Sequence, residues 1–366
     1  MKKLCAAFLC LTAVTLLSAR AEEEQPMFPG GQLRALWCAP PTETDETAGA
    51  AKIDEMLDCV VSGGFNALFL WGTSNYLWAV TEGGDELKEA PTAHYDPFGK
   101  MIERGKQRGV AVHLWYSPWI YKSAERSIEM RRHPEWSAVD IEGKVDHDGI
   151  CLNRPEIRQF ELDLLTKVIR RYPDLAGIHI EEPGYNWGEY CYCDSCRAMF
   201  KALTGIEIGE DKTAVLEQMR NFNAAMSTDF MIRLRAIMKA ENPNLLLSTN
   251  GCAGSNSDWK LGRDWTSWSM RGYIDFYVPQ IYTKDVEAFK QGAVKTKQRL
   301  GDCVMVPGFA ISWSGIYPER LSKETLEGLV AAALQADGEG YVVFHYDHFE
   351  PVHFETFDEI RRKNNP

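Results

Sequence analysis

Short apolar runs rich in β-branched and aromatic residues alternate with longer amphipathic segments along most of this chain. Parallel strands joined by helices are covered on both faces, so such strands are almost continuously apolar. Eight runs of this kind can be counted, and eight parallel strands close into a single barrel. The predicted strands are Leu33–Cys38, Ala67–Trp71, Val110–Tyr116, Leu175–Ile180, Leu245–Thr249, Phe276–Tyr282, Val304–Phe309 and Gly340–Phe344.

The segments between these runs have helical periodicity. The predicted fold class is therefore α/β, a single (β/α)8 TIM barrel with long βα loops. An open, doubly wound sheet is the alternative, but it ordinarily has a glycine-rich phosphate turn after its first strand. Here Ala39-Pro40-Pro41-Thr42 follows that strand. The predicted helices are Ala48–Ser62, Pro97–Arg108, Pro155–Tyr172, Thr213–Ala240, Trp259–Arg271 (weak), Val286–Leu300 and Ser322–Ala336.

The N-terminus has the pattern of a secretory signal peptide over residues 1–21. Lys2 and Lys3 precede an apolar run, and Ala19 and Ala21 stand at a small-residue cleavage site. A retained anchor helix is the alternative. We expect a secreted or periplasmic protein in which residues 22–366 form one catalytic domain. No later segment has the apolar length of a membrane span, so no membrane association is expected after signal cleavage.

The charge balance restricts the partners. The chain has 40 Lys and Arg against 52 Asp and Glu, a formal net charge of −12. Nucleic-acid affinity depends mainly on Lys and Arg, so neither DNA nor RNA is expected as a partner.

Aromatic and amide side chains are concentrated where the predicted strands end. Active sites of such barrels lie on the loops after the C-terminal strand ends. Flat rings beside carboxylates and amides suit a sugar, which has C–H faces to stack and hydroxyls to hydrogen-bond, so a carbohydrate substrate is predicted. The candidate substrate-binding residues are Trp71, Trp115, Tyr116, Tyr185, Asn250, Gln280, Tyr282, Trp313 and His345.

The fourth predicted strand ends in two adjacent acids, Glu181 and Glu182, followed by Pro183-Gly184. Like charges at close range, together with partial burial, raise one pKa, so that one carboxyl holds a proton near neutrality. Glycosidic cleavage needs such an acid to protonate the leaving oxygen. Salt bridges or helix capping are the alternative roles. Pleat alternation points Glu181 into the barrel and Glu182 away, but that parity ends with the strand.

The seventh predicted strand has no acid, although retaining barrel glycosidases commonly use one there. Asp347, after the eighth strand, is the candidate partner, and Asp285 is a weaker one. Alternatively, the substrate supplies its own nucleophile through a 2-acetamido group. Glu181 would then orient the amide, Glu182 would act as general acid/base, and Tyr282 would support the acetamido oxygen.

A cluster of cysteines follows the paired acids. Cys191, Cys193 and Cys196 lie within six residues, and Cys151 in a neighbouring loop could supply a fourth thiolate. Four thiolates form a closed tetrahedral zinc site, so a structural zinc is predicted, with disulfides as the alternative. No organic cofactor is expected. The remaining mature cysteines are predicted to be buried small apolar side chains: Cys38, Cys59, Cys252 and Cys303.

Two family resemblances rest on these segments. The stretch from Cys151 to Arg158, together with Glu182 and the Cys191–Cys196 cluster, resembles glycoside hydrolase family 42 β-galactosidases. That resemblance implies zinc beside an acid/base Glu182. The chain from Leu33 to Phe349 resembles the glycosyl hydrolase-like family 10 proteins through the segments 113–136, 181–182 and 273–282. It implies a (β/α)8 barrel and carbohydrate hydrolysis, including that of cell-wall glycans. The family 42 Asn-Glu pair is Glu-Glu here, so β-galactosidase activity does not carry over.

The expected function is therefore that of an exported glycoside hydrolase of a poly- or oligosaccharide, with Glu182 as general acid/base. The alternatives are a non-catalytic carbohydrate-binding barrel that has lost its second carboxylate, and a metallohydrolase that uses the cysteine-bound zinc.

Overall fold

The computed structural model describes residues 27–28, 31–84, 86–123, 127–185, 188–253, 257–337 and 339–364. The predicted signal peptide lies outside these ranges. The strands are β1 (Leu33–Cys38), β2 (Ala67–Trp71), β3 (Ala111–Tyr116), β4 (Ser137–Val139), β5 (Val145–Ile150), β6 (Gly177–Ile180), β7 (Leu246–Cys252), β8 (Phe276–Gln280), β9 (Val304–Met305), β10 (Gly308–Ala310) and β11 (Gly340–Phe344). The helices are α1 (Glu46–Ser62), α2 (Ser74–Glu82), α3 (Glu86–Glu89), α4 (Pro97–Gln107), α5 (Ile128–Arg132), α6 (Pro155–Arg171), α7 (Asp194–Thr204), α8 (Leu216–Glu241), α9 (Ser257–Lys260), α10 (Trp265–Met270), α11 (Val286–Lys297), α12 (Lys323–Ala336) and α13 (Pro351–Asn364).

The parallel strands close into the predicted (β/α)8 barrel. In the sheet, β1 lies between β11 and β2, followed by β3, β6, β7 and β8. The short strands β9 and β10 together occupy the seventh position: β9 pairs with β8, and β10 pairs with both β8 and β11. All eight predicted strand positions are thus occupied, and the TIM-barrel prediction is confirmed.

The seventh strand is interrupted, whereas the sequence pattern predicted one continuous strand over Val304–Phe309. The break falls at Val306-Pro307. Proline has no N–H to donate to a ladder, so it is confined to edges and irregularities of sheets. The carbonyl of Pro307 still accepts from the Val342 N–H at 3.1 Å, which keeps the barrel closed across the break.

Aromatic and β-branched side chains fill the barrel interior below the strand ends. Trp37, Phe69 and Phe276 are fully buried there. His179 stacks on Phe69 with ring centroids 4.4 Å apart, and burial lowers the pKa of the neighbouring His113 to about 4. Burial also lowers the pKa of His179, so both imidazoles are neutral at physiological pH.

The long loop after β3 contains α5 and the antiparallel β4–β5 hairpin, which the sequence pattern did not predict. The buried Lys122 ties this loop to the barrel. Its Nζ donates to Glu129 Oε1 at 2.8 Å, Glu161 Oε1 at 3.1 Å and the Tyr116 hydroxyl at 2.8 Å. Buried charges are tolerated when they are paired and hydrogen-bonded in this way.

The helices also differ in part from the prediction. The weak helix over Trp259–Arg271 is two short helices, α9 and α10, because Gly262 adopts a φ of +81° between them. Helices α2, α7 and α13 were not predicted. Within the described part of the chain, no helix has both the length and the apolar character to cross a membrane.

Candidate active site

A cleft of about 790 Å³ lies over the C-terminal ends of the barrel strands. This is the face on which active sites of such barrels are built. Both predicted acids and most of the predicted aromatic residues meet there. The lining residues are Ala39, Trp71, Trp115, Tyr121, Glu181, Glu182, Cys252, Gln280, Tyr282, Trp313, Ile316, Phe344 and His345.

Glu181 is the first residue after β6. Its N–H continues the ladder by donating to the Tyr116 carbonyl at 2.8 Å. Its Oε2 accepts from Trp115 Nε1 at 2.5 Å and from Asn250 Nδ2 at 2.6 Å. Burial, with a further contribution from the charge of Glu182, raises the pKa of Glu181 to about 8, although the hydrogen bonds from Trp115 and Asn250 lower it. Glu181 is thus protonated at neutral pH in the free protein.

Glu182 lies in the left-handed region, with φ of +40°. That conformation breaks the pleat alternation, so both acids line the same cleft and Glu182 is not turned away from it. Its N–H donates to Asn250 Oδ1 at 2.8 Å, and its Oε2 lies 3.2 Å from a terminal nitrogen of Arg263.

Sequence reasoning missed Arg263, which pairs with Glu182, and Asp258, which pairs with Arg263. Arg263 is 1% exposed and donates to the Tyr185 carbonyl at 2.9 Å. Asp258 is fully buried, with Oδ1 3.7 Å from Arg263, and burial raises its pKa to about 6. Asp258 lies in α9 and Arg263 between α9 and α10. The sequence pattern there predicted a helix and did not indicate that these two side chains approach the acids.

The aromatic walls of the cleft are largely those predicted. Trp71 packs edge-on against Trp115 at 4.6 Å, and Tyr282 contacts Trp313 at 4.9 Å. Burial and the charge of Glu181 raise the pKa of Tyr282, so its hydroxyl remains a hydrogen-bond donor. Tyr121, which sequence reasoning missed, completes the wall. The sequence feature that could have indicated Tyr121 is its position two residues after Trp119, in the loop that follows β3.

His345 also lines the cleft, as predicted. Burial lowers its pKa to about 4, against the opposing charge of Asp347, so its imidazole is neutral at physiological pH.

Four predicted site residues lie elsewhere. Tyr116 is buried in the Lys122 cluster. Tyr185 is buried with its hydroxyl 3.8 Å from Cys151 Sγ, because the loop after β6 turns it towards the cysteines. Asn250 is buried and does not line the cleft, but it bridges the two acids. The Asp347 side chain is 71% exposed in a short 3-10 turn, facing solvent outside the cleft. Asp285, the weaker candidate, caps the N-terminus of α11.

The four predicted metal ligands come together in one cluster. The Sγ atoms of Cys151, Cys191, Cys193 and Cys196 all lie within 4.8 Å of one another. Tetrahedral zinc–thiolate bonds of about 2.3 Å place the sulfurs about 3.8 Å apart, so this donor set fits zinc. None of the cysteines in the described residues is joined in a disulfide.

Hydrogen-bond donors surround the sulfurs. The Val139 N–H donates to Cys191 Sγ at 3.3 Å, and Asn153 Nδ2 donates to Cys196 Sγ at 3.2 Å. Such donors orient thiolates and stabilise their charge in metal sites. Four protein ligands leave no open coordination position, and none of them lines the cleft. Zinc bound here would fasten the loop after Glu182 to the β4–β5 hairpin.

The other cysteines differ partly from the prediction. Cys38 is buried, whereas Cys59, Cys252 and Cys303 are half-buried. Cys252 lines the cleft at the end of β7, and burial raises the pKa of its thiol to about 11. It is therefore a neutral thiol and not a nucleophilic thiolate at physiological pH.

Comparisons with known proteins agree with this architecture. The β-galactosidase BgaP of Planococcus sp. (strain L4) is 24% identical over 159 residues, which are 42% of this chain and 21% of that protein. The β-galactosidase of the psychrophilic Marinomonas ef1 superposes with a TM-score of 0.70 at 11% identity, covering 91% of this chain and 59% of its own. A catalytic mutant of Gan42B, a GH42 β-galactosidase from G. stearothermophilus, superposes with a TM-score of 0.65 at 12% identity, covering 93% of this chain and 57% of its own.

This chain thus spans about a fifth of the length of the curated relative and under two thirds of each solved one. The structural likeness extends over the barrel and shows that this chain has the same fold as these solved β-galactosidases. A family model described as Glycosyl hydrolase-like 10 matches residues 32–310, from the start of β1 to the end of β10. The chain belongs to the glycosyl hydrolase-like 10 family.

Proposed function

We propose that this protein is a glycoside hydrolase that cleaves an N-acetylated poly- or oligosaccharide, with Glu182 as general acid/base. One observation carries the proposal: two adjacent carboxyl groups line an aromatic cleft. Burial, together with the charge of Glu182, raises the pKa of Glu181 to about 8. The pair therefore holds a proton at neutral pH that a glycosidic oxygen can take up.

The two acids titrate together because they interact strongly, so the proton can move from one acid to the other. In the free protein Arg263 lies 3.2 Å from Glu182 Oε2, and burial holds the proton on Glu181. A substrate amide N–H donated to Glu181 stabilises its charged form and shifts the proton to Glu182. Arg263 then keeps Asp258 as a counter-charge. Glu182 can thus become the acid when an acetamido sugar binds.

The absence of a third cleft acid favours participation by the substrate. Among the described residues that line the cleft, Glu181 and Glu182 are the only carboxyl groups, and Asp347 faces solvent. The acetamido oxygen would attack the anomeric carbon while Glu182 protonates the leaving oxygen. Glu181 would orient the acetamido N–H, and the neutral Tyr282 hydroxyl would donate to the acetamido oxygen.

A series of matched substrates tests this proposal. Aryl 2-acetamido-2-deoxy glycosides should be hydrolysed, and analogues in which fluorine replaces the acetamido methyl hydrogens should react progressively more slowly, because fluorination weakens the internal nucleophile. Tyr282→Phe should lower kcat/KM for the acetamido substrate. Equal cleavage of a 2-hydroxy analogue would overturn substrate assistance while retaining the glycosidase. Sugar binding without release of any product from aryl glycosides or peptidoglycan fragments would instead favour the non-catalytic carbohydrate-binding barrel.

Two further parts of the proposal concern the metal and the compartment. We propose that Cys151, Cys191, Cys193 and Cys196 hold a structural zinc, on the support of their mutual distances. We also propose that the protein acts outside the cytoplasm, on the support of the signal-peptide pattern in residues 1–21.

A further inference from the structure

A second cavity, of about 840 Å³, lies between the β4–β5 hairpin and the segment around α5. None of the roles proposed above uses it. Its lining includes Ser123, Met130, Pro134, Asp146, Asp148 and Tyr190.

The two cavities are neighbours on one loop. Tyr121 lines the cleft and Ser123 lines the second cavity. Two residues of extended chain span at most about 7 Å, so Tyr121 and Ser123 lie closer together than the length of a disaccharide. Lys122, between them, is buried in its ion cluster and lines neither cavity.

The loop that joins the cavities is fastened to β5. The Lys122 N–H donates to the Asp148 carbonyl at 3.0 Å, and the Ser123 N–H donates to Asp148 Oδ1 at 3.1 Å. Ile120 pairs with Gly149 in an isolated bridge. These bonds fix Tyr121, which has a φ of +60° and is 38% exposed, at the junction of the two cavities.

The side chains of the second cavity suit sugars. The half-buried Tyr190 offers a ring, held by stacking on Tyr185 at 5.6 Å with an interplanar angle of 19°. The carboxylates of Asp146 and Asp148 can accept hydroxyl hydrogens, as they do in carbohydrate sites that combine rings with acids. Lys144 is the one permanently charged cation among the described residues that line this cavity, against the two carboxylates. The local charge is negative and disfavours anionic sugars.

We propose that this cavity binds further sugar units of the glycan whose bond is cleaved in the cleft, and that these units are neutral or amino sugars and not uronic acids. The inference rests on the proposed function for the cleft. The inference adds that the substrate is an extended glycan chain, which binds in the cleft on one side of Tyr121 and in the second cavity on the other.

Binding to the full chain with Glu182→Gln, which prevents turnover, tests the inference. The probes are the dimers and hexamers of chitin and cellulose, the chitosan hexamer and the galacturonate hexamer, measured by calorimetry. A neutral hexamer should bind about tenfold tighter than its dimer, a difference of about 1.4 kcal/mol, which one aromatic ring contact can supply. The galacturonate hexamer should bind no better than a neutral dimer.

Two variants localise the effect. Tyr190→Ala and Asp146→Ala, each added to Glu182→Gln, should abolish the advantage of the hexamer and leave the dimer affinity unchanged. Asp302→Ala, at an exposed aspartate that lines neither cavity, is the control. Asp146→Ala keeps the test decisive if Tyr190→Ala disturbs the neighbouring cysteines.

The outcomes separate this inference from the proposed function. A hexamer that binds no tighter than its dimer, or an advantage that survives both variants, would overturn the inference alone. Failure of every oligomer to bind, together with no hydrolysis of aryl glycosides, would overturn both.

Discussion

Asn250 donates from Nδ2 to Glu181 Oε2 at 2.6 Å, while its Oδ1 accepts the Glu182 N–H at 2.8 Å. One amide thus fixes both acids, and it also stabilises the charged form of Glu181. Asn250→Ala should lower kcat/KM roughly tenfold to a hundredfold, the worth of a hydrogen bond to a charged group. It should also move the basic limb of the pH–rate profile upwards. Asn244→Ala, at an exposed asparagine, is the control, and an unchanged pH profile would argue against this role.

Replacement of each acid by its amide separates their roles. Glu182→Gln should lower kcat/KM roughly 10²- to 10⁴-fold for substrates with poor leaving groups, which need protonation. It should affect a dinitrophenyl glycoside much less. Glu181→Gln retains an acceptor for Trp115 and Asn250, and its loss of activity should not depend on the leaving group. The reverse pattern would assign the acid to Glu181.

The raised pKa of Glu181 predicts the pH dependence of activity. The pair loses its proton as the pH rises through about 8, so kcat/KM should fall above that value. A profile that stays flat to pH 10, measured with a substrate whose own ionisation is constant, would contradict the assignment.

The raised pKa of Glu181 also affects stability. The resulting pH dependence of the unfolding free energy is opposite in sign to that of a salt-bridged acid. The folded pKa of Glu181, about 8, exceeds the ordinary value of 4.5. The folded state therefore binds more protons between these values, and its stability falls as the pH rises through that window. Relative to the wild type, Glu181→Gln should gain on the order of a few kcal/mol of unfolding free energy between pH 4.5 and 8. Chemical denaturation at several pH values measures the unfolding free energy of both proteins. A difference between variant and wild type that does not change with pH would contradict the raised pKa.

The cysteine cluster predicts one zinc ion that stabilises the fold. Cys193→Ser should lose the metal, measured by elemental analysis, and lower Tm by several degrees, because metal binding to a folded site is folding free energy. Cys303→Ser, at a half-buried cysteine outside the cluster, should retain both. Chelation that abolished turnover before any change in Tm would instead indicate a catalytic metal.

The buried ion cluster of Lys122 predicts a large loss of stability. Lys122→Met leaves Glu129 and Glu161 buried without their cation, and breaking such a pair costs about 3–5 kcal/mol. Lys144→Met, at an exposed lysine of the same loop, should change stability by less than about 0.5 kcal/mol. Equal effects in a denaturant titration would contradict the role of the cluster.

The sequence by itself determined the barrel, the position of the paired acids and the cysteine cluster. Apolar runs of strand length report burial on both faces, and the order of strands and helices leaves few ways to close a sheet. Acids directly after a strand must lie at its end, and three thiols within six residues must lie close together. These features depend on the local spacing of residues along the chain, so they can be predicted from the amino-acid sequence.

Only the tertiary structure decided which side chains meet in the cleft. The φ of +40° at Glu182 brings it beside Glu181, and the loop after β7 delivers Arg263 from 81 residues further along. Loop geometry also turned Asp347 to solvent and brought Tyr121 into the wall. Beyond the end of a strand no periodicity constrains side-chain direction, so the direction depends on backbone angles that are set by packing between distant segments.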